Sequence, residues 1–584
     1  MGDSNKRIAI IGVSTFLLVA MVVAVTVSIG NNKNEAVENS KDTHVSASVK
    51  AVKTLCAPTD YKKECEESLT QNAGNITDPR ELIKIAFNVT ITKIGEGLEK
   101  TQLLQEVEKD PRTKEALDTC KDLMHLSTEE FKRSLERFGN FNLNSLDRVL
   151  TSLKVWLSGA ITYQETCLDA FENTTTDASH KMQEILKTAM HMSSNGLSII
   201  NELSKTFADM KPAGRRLLKE NVDGGVDVFG NGGNFELPEW VENRPGVRKL
   251  LKMTGRKLSA HVVVAKDGTG NFTTINEALK TVPHKNLRPY VIYIKEGIYN
   301  EYVEVARNMT HVVFIGDGGR KSRITGNKNF IDGVGTYRTA TVAVLGDFFV
   351  GIGIGFENSA GAHKHQAVAL RVQADRSIFY KCRMDGYQDT LYAHTMRQFY
   401  RDCVITGTID FVFGDSVAVL QNCTFVVRKP LENQQCIVTA QGRKEKTQPS
   451  GLIIQGGSIV SDPKYYPVRF DNKAYLARPW KNFSRTIFMD TYIGDLITPD
   501  GYMPWQTLEG ITGTDTCYYA EYNNRGPGAD ISKRVKWQGV KTITSEGAAG
   551  FQPTAFFHGD DWIRVTRVPY YPGGAGASHK TPTH

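Results

Sequence analysis

Three consecutive stretches, HQAVALRVQADRSIFYKCRMDG, YQDTLYAHTMRQFYRDCVITG and TIDFVFGDSVAVLQNCTFVV, repeat one pattern of short β-branched and aromatic runs broken by Gly, Asp and Asn. Gln366 and Gln388 lie 22 positions apart, and Asp389 and Asp410 lie 21 apart. A period near 20 made of such runs is the signature of a solenoid whose coils stack on one another. Parallel strands on adjacent coils sit roughly 4.8 Å apart, so residues one period apart should touch. Gln366, Gln388 with Asp389, and Asp410 are therefore predicted to form a ladder on one face. Cys403 and Cys423, 20 positions apart, each close an aromatic-rich run in the same register. Stacked coils would bring their Cα atoms within the ~4.4–6.8 Å a disulfide requires, so a Cys403–Cys423 bond is expected.

Two aspartates one coil apart invite an acid–base or nucleophile pairing, because ionising one of two close carboxyls favours the neutral form of the other. Arg478, in LARPW, is the expected partner that keeps one of them ionised. Trp480 would share its strand face and offer an aromatic wall for a sugar ring. Taken singly, Asp389 or Asp410 reads as a turn-forming residue of a solenoid; together with two glutamines and an arginine they read as chemistry.

The 584 residues are too many for one small core, and two or three domains are expected. A net charge of +7 favours an acidic partner, and a nucleic acid or an anionic polysaccharide would both fit it. Residues Ile8 to Ile29 carry no charge and follow Lys6 and Arg7. That run is long enough to span a bilayer, and residues 1–30 are read as an uncleaved signal-anchor in preference to a cleaved signal. The rest of the chain then enters the secretory pathway, where the sequons at Asn75, Asn88, Asn173, Asn271, Asn308, Asn422 and Asn482 become glycan acceptors. Asn422, beside the expected disulfide, is the weakest of the seven.

Over residues 50–205 the apolar period becomes helical. Leu82, Ile85, Ala86, Val89 and Ile94, then Leu117, Cys120, Leu123 and Met124, then Leu146, Val149, Leu150, Leu153 and Leu157 mark the inner faces of a four-helix bundle. Its four cysteines allow three pairings. The sequence-local one, Cys56–Cys65 with Cys120–Cys167, closes a short loop and clips two helices. No catalytic constellation falls in this region, which reads as a binding or folding module. Residues 206–258 turn to Gly, Asn, Pro and basic residues and read as a linker. Two basic clusters there, Arg215-Arg216-Leu217-Leu218 and Arg256-Lys257-Leu258, are expected processing sites. From Ser259 to residue 572 the chain reads as a strand, a helix opened by Thr273 or Thr274, and a long series of short strands, before a polar tail at 573–584.

Five motifs then carry a resemblance: GTYRTAT at residues 335–341, QAVAL at 366–370, GYQDTLY at 386–392, GTIDFVFG at 407–414 and LARPW at 476–480. Here the chain closely resembles the plant pectin methylesterases, carbohydrate esterases with an all-β, right-handed parallel β-helix. The likeness runs from about Ala260 to Pro572. The bundle resembles the pectin methylesterase inhibitor domain that precedes many of these enzymes as a pro-region, and the basic clusters resemble the family's processing motifs. The resemblance implies that Asp410 is the nucleophile on the C6 carbonyl of a methylated galacturonate and that Asp389 is the acid and then the base. It also implies that Gln388 and Gln366 bind the oxyanion, that Arg478 orients Asp410, and that Thr336 and Trp480 line sugar subsites. It implies no metal and no organic cofactor, and a cell-wall location. As partners it implies pectin, the chain's own pro-domain, separate inhibitor proteins and a subtilisin-like processing protease, but no nucleic acid.

Weaker candidates fall away. His363 and His365 share a strand face but no third ligand follows at suitable spacing. The glycines of DGTGNF lack the Lys-Ser/Thr of a phosphate loop. Another β-helix pectin enzyme, a lyase or polygalacturonase, is the second reading; a lyase would want a Ca²⁺-binding acidic cluster and a catalytic base, whereas paired acids with two glutamines suit acyl chemistry. The remaining alternative, an inhibitor or wall-binding protein with a silent β-helix, sits poorly with a complete Gln366, Gln388, Asp389, Asp410 and Arg478 set.

Overall fold

The structure, a computed structural model, describes residues 47–141, 145–172, 174, 176–210, 235–236, 259–507 and 510–573. The signal-anchor, both basic clusters, Asn173 and nearly all of the linker and tail lie outside the described residues. The chain divides into two compact units.

The first is helical. It comprises α1 (Ala47–Cys56), α2 (Lys62–Ala73), α3 (Pro79–Val107), α4 (Pro111–Gly139), α5 (Leu146–Asp169) and α6 (Ala178–Asp209). The starts of α3 and α4 share one device. Proline occupies the first turn, where a missing N–H costs nothing, and the preceding aspartate accepts from the backbone, Asp78 from Arg80 N and Asp110 from Thr113 N, both at 2.8 Å. The inner stripes of α4 and α5 are those expected, with Leu117, Cys120, Leu123, Leu150 and Leu153 fully buried. In α3 the stripe is rotated. Leu82, Ile83, Ala86, Phe87 and Ile94 are buried, while Ile85 and Val89 are half-exposed. Gln164 of α5 ties three helices by donating to Ser127 Oγ at 2.9 Å and Ser193 Oγ at 2.8 Å. The disulfides Cys56–Cys65 and Cys120–Cys167 are both present, joining α1 to α2 and α4 to α5.

The second unit is built of three parallel sheets of eleven, eight and seven strands. The chain visits them in rotation. Ser377–Tyr380 lies in the first, Arg383–Asp385 in the second and Leu391–Ala393 in the third, and the next coil repeats the circuit with Arg397–Arg401, Val404–Gly407 and Val412–Gly414. Within each sheet of this β-helix the strands pair coil with coil: Phe379 with Tyr400 and Leu420, Met384 with Ile405 and Phe425, Leu370 with Leu391 and Val412. Their side chains fill a continuous apolar interior. A short helix, Ile275–Leu279, begins at Thr274, whose Oγ accepts from Glu277 N. The segment around Tyr571 lies on the outer face of the eleven-stranded sheet, where Gln421 and the Tyr571 backbone exchange two hydrogen bonds of 2.7 and 3.1 Å.

The thiol register is as expected but the bond is not formed. Cys382, Cys403 and Cys423 stand on three successive coils, and all three are free. In-register coils hold side-chain roots at the strand spacing, roughly 4.8 Å, whereas a disulfide needs Cβ atoms about 3.8 Å apart. Suitable Cα separation is therefore not enough. Cys403 Sγ instead donates to Phe379 O at 3.3 Å. Burial, reinforced by the two neighbouring thiols, pushes its pKa well up and keeps it protonated. Alkylation of the denatured, unreduced protein should label five cysteines and leave the bundle's four unlabelled; a 403–423 cross-linked peptide in the digest would contradict this fold.

Candidate active site

The site sits at the corner where each coil passes from the eight-stranded to the seven-stranded sheet. Three successive corners supply it. Gln366 pairs with Gln388 in an isolated parallel bridge, Ala367 N donates to Gln388 O at 3.3 Å, and Asp389 N donates to Ile409 O at 3.0 Å. Asp389 and Asp410 both hold left-handed backbones, with φ of 62° and 50°. Aspartate tolerates that region better than most residues, and it lets the chain turn sharply while the carboxyl stays at the corner. Both side chains are nearly buried, at 7 % and 5 % exposure. Gly407 makes the stacking possible: a Cβ there would lie 2.1 Å from Phe411 Cβ.

Arg478 arrives from farther along. It follows the strand Ala474–Ala477, which pairs with Cys436–Gln441, which in turn pairs with Val412–Gly414. Its side chain thus reaches back across one whole coil, roughly 10 Å of stacking, to Asp410. Nε donates to Oδ1 at 2.8 Å and to Oδ2 at 3.1 Å, and Nη2 also donates to Oδ2. The opposite face of the guanidinium lies 4.2 Å from the Trp505 ring centroid, a cation–π contact. Burial alone would depress the arginine, but the charge and hydrogen bonds of Asp410, with Asp389 beyond, hold it above its ordinary value.

An aromatic floor continues the site over the seven-stranded sheet. Tyr392 and Phe413, one coil apart, stack at 4.2 Å, and Trp480 meets both edge-on at 6.3 and 5.8 Å. The indole packs against Gly442, where a Cβ would fall 2.7 Å from the ring. Thr336 opens the 3₁₀ turn Thr336–Thr339. Thr339 Oγ donates to Thr336 O at 2.7 Å and accepts from Val368 N at 3.0 Å, which joins GTYRTAT to QAVAL. Tyr337 lies under the Arg371 guanidinium at 3.5 Å and donates to Gln373 Oε1 at 3.2 Å. His394 beside it is pushed well below its usual pKa by burial and then by Arg371, so it stays neutral.

Gln366, Gln388, Asp389, Asp410 and Arg478 are thus brought together; Trp480 follows Arg478 by two residues and lies against Tyr392 and Phe413, and Thr336 is in the turn joined to QAVAL. Gln366 Oε1 is buried with no hydrogen-bond partner among the described residues, so this amide is not spent on internal cohesion. His363 is exposed on the turn before Gln366. The aromatic floor went unread in the sequence, although Tyr392 and Phe413 repeat at the same 21-residue interval as the two aspartates. Trp505 has no such signal, since its hairpin with Gly510–Thr512 stands outside the repeat.

Two family models match the chain: Pectinesterase over residues 261–560 and Plant invertase/pectin methylesterase inhibitor over residues 50–199. The chain is similar to "Probable pectinesterase/pectinesterase inhibitor 21" of Arabidopsis thaliana, 49% identical over 97% of this chain and 83% of that protein. It is also similar to "Putative pectinesterase/pectinesterase inhibitor 28" of the same plant, 47% identical over 99% of this chain and 77% of that one. Among solved structures, pectin methylesterase from carrot matches at 44% identity with a TM-score of 0.53, covering 55% of this chain and 99% of its own. Two paired aspartates with a bidentate arginine on a β-helix, behind an inhibitor-type helical unit, are therefore those of a relative by descent: the chain belongs to the pectinesterase family.

Proposed function

We propose that the enzyme removes methyl groups from polygalacturonate through a covalent acyl-enzyme on Asp410. The observation that carries the mechanism is the corner itself, where two aspartates stand one coil apart and Arg478 grips Asp410 at both oxygens. Asp410 attacks the C6 carbonyl carbon of a methylated galacturonate. Negative charge develops on the carbonyl oxygen, where the side-chain N–H groups of Gln366 and Gln388 receive it, each such donor being worth roughly 3 kcal/mol. Collapse breaks the C–OCH₃ bond, and the departing oxygen takes the proton carried by Asp389, which leaves methanol and an anhydride with Asp410. Asp389, now a carboxylate, accepts a proton from water as the oxygen attacks the same carbon. Release of Asp410 leaves a free carboxyl group on the polymer and restores the protonated Asp389.

Trp480 is half-buried and offers a sugar ring a surface to stack on, above the aromatic floor of Tyr392 and Phe413, which is itself buried. Thr336 and Trp480 stand at its edges as subsite residues.

The surroundings of this chemistry are read as follows. The domains run 50–205, 206–258 and 259–572, with a right-handed β-helix in the last. The protein is secreted to the cell wall, where a subtilisin-like protease cuts at Arg215-Arg216-Leu217-Leu218 or Arg256-Lys257-Leu258. The helical unit restrains the enzyme until then, and separate inhibitor proteins act afterwards. Asn75, Asn88, Asn271, Asn308, Asn422 and Asn482 are all exposed, which suits glycan attachment. Asn422 Nδ2 donates to Asp402 at 2.7 Å, which makes it the least suited of these.

Methanol release from highly methylated pectin tests the core of this reading. Asp410→Asn should lower kcat at least about a thousand-fold, and Gln388→Ala about a hundred-fold. An active Asp410→Asn in a folded protein would remove the nucleophile from the scheme. Gly442→Ala pushes on the Trp480 indole and should raise KM about 3- to 10-fold with kcat little changed, the worth of one aromatic contact. The segment from Ser259 should be more active than the uncleaved chain, and equal activity would speak against restraint by the helical unit.

A further inference from the structure

Arg428 follows the strand Thr424–Val427 and stands at the same corner as the site, two coils from Gly386. Its backbone N–H donates to Gly407 O at 2.8 Å, which fixes it over the intervening turn. The side chain then doubles back. Nη1 donates to Gly386 O at 2.9 Å, Nη2 donates to Tyr387 Oη at 2.8 Å, and the guanidinium carbon lies 3.8 Å from the Tyr387 ring centroid. Gly386 and Tyr387 immediately precede Gln388 and Asp389.

The rest of this turn is held from within the coil stack. Thr390 Oγ donates to Thr406 O at 2.8 Å, and Thr408 N donates to Tyr387 O at 2.9 Å. Asp389 nonetheless keeps a left-handed backbone, which a non-glycine residue holds only where its surroundings over-determine it. The outer side of the turn is closed by Arg428. Gly407 leaves the way open, since a Cβ there would meet Tyr387 O at 2.6 Å.

We propose that Arg428 is a positioning residue: by clamping Gly386 and Tyr387 it fixes the turn that presents the Gln388 amide and the Asp389 carboxyl to the reacting ester. This rests on the reading of Asp389 as acid and base given above. The task suits arginine alone, because its planar fork donates to two acceptors while its face stacks on a ring. A lysine ammonium supplies the charge without the geometry. Misplacement of catalytic groups by about 1 Å costs up to a hundred-fold in rate, so the clamp should act on kcat.

The test compares wild type, Arg428→Ala, Arg428→Lys, Tyr387→Phe and Asp389→Asn in the protein as secreted from a eukaryotic host, with kcat, KM on highly methylated pectin and melting temperature measured together. Arg428→Ala should lower kcat about tenfold or more with KM and melting little changed. Arg428→Lys should not rescue it, and Tyr387→Phe should lose part of the rate. A rise in KM at unchanged kcat would make Arg428 a contact for the polymer and overturn the positioning role, as would rescue by lysine. Should Arg428→Ala fail to fold, Tyr387→Phe decides, and wild-type kcat there counts against the clamp. An active Asp389→Asn would overturn the catalytic reading beneath the proposal, whereas an inactive one beside a wild-type-like Arg428→Ala would overturn the positioning role alone.

Discussion

The backbone hydrogen bond between one coil and the next governs everything else in the β unit. Each strand spends its N–H and C=O groups on its neighbours in parallel register, from Val262–Val264 at one end to Val540–Thr542 at the other. Once that register is set, a residue's side chain must sit over its counterpart one coil away. Leucine stacks on leucine inside, and amide stacks on amide and acid near acid at the corner. The ladder of glutamines and aspartates therefore needs no separate device to assemble it; it is the outward consequence of the stacking that makes the core.

Ion pairing by itself does not mark the site. Arg397 and Asp375 form a pair as well bonded as that of Arg478 and Asp410, and Arg534 with Glu521 form another, both almost wholly buried. Desolvation offsets most of the attraction in such pairs, so they are weak evidence for stability and weaker still for chemistry. Arg478 differs in place and in reach. It is partly open to solvent, bridges two coils, and faces a second aspartate beyond the one it grips. Its position on the ladder, and not its bond count, is what sets it apart.

Much of this was legible in the sequence because a solenoid writes its contacts at a fixed interval. The 21- and 22-residue spacings put Gln366 over Gln388 and Asp389 near Asp410. The same rule, carried to Cys403 and Cys423, gave the correct neighbours and the wrong bond, because a repeat fixes which residues are adjacent but not whether their side chains can converge. Arg428 and Trp505 stayed hidden for a different reason. Arg428 stands in register one coil beyond Thr408, but the period does not say which way its side chain turns, and Trp505 lies in a hairpin off the repeat. In the helical unit, the rotated stripe of α3 shows the same limit. Phe87 and Ile83 compete with Ile85 and Val89 for the interior, and only the packed neighbours decide.

The reach of Arg478 across a full coil has a consequence for a stack that grows from its amino-terminal edge. A coil stack grows by adding one turn to an existing edge, so residues near the growing end dock last. Both glutamines and both aspartates can be in their final register while the chain 68 residues beyond Asp410 is still unattached. Structure laid down from the amino-terminal side would show native-like strand content well before Arg478 reached Asp410. The arginine–aspartate contact is in this sense timed by the geometry of the stack: in such growth, shape precedes the closing of the corner.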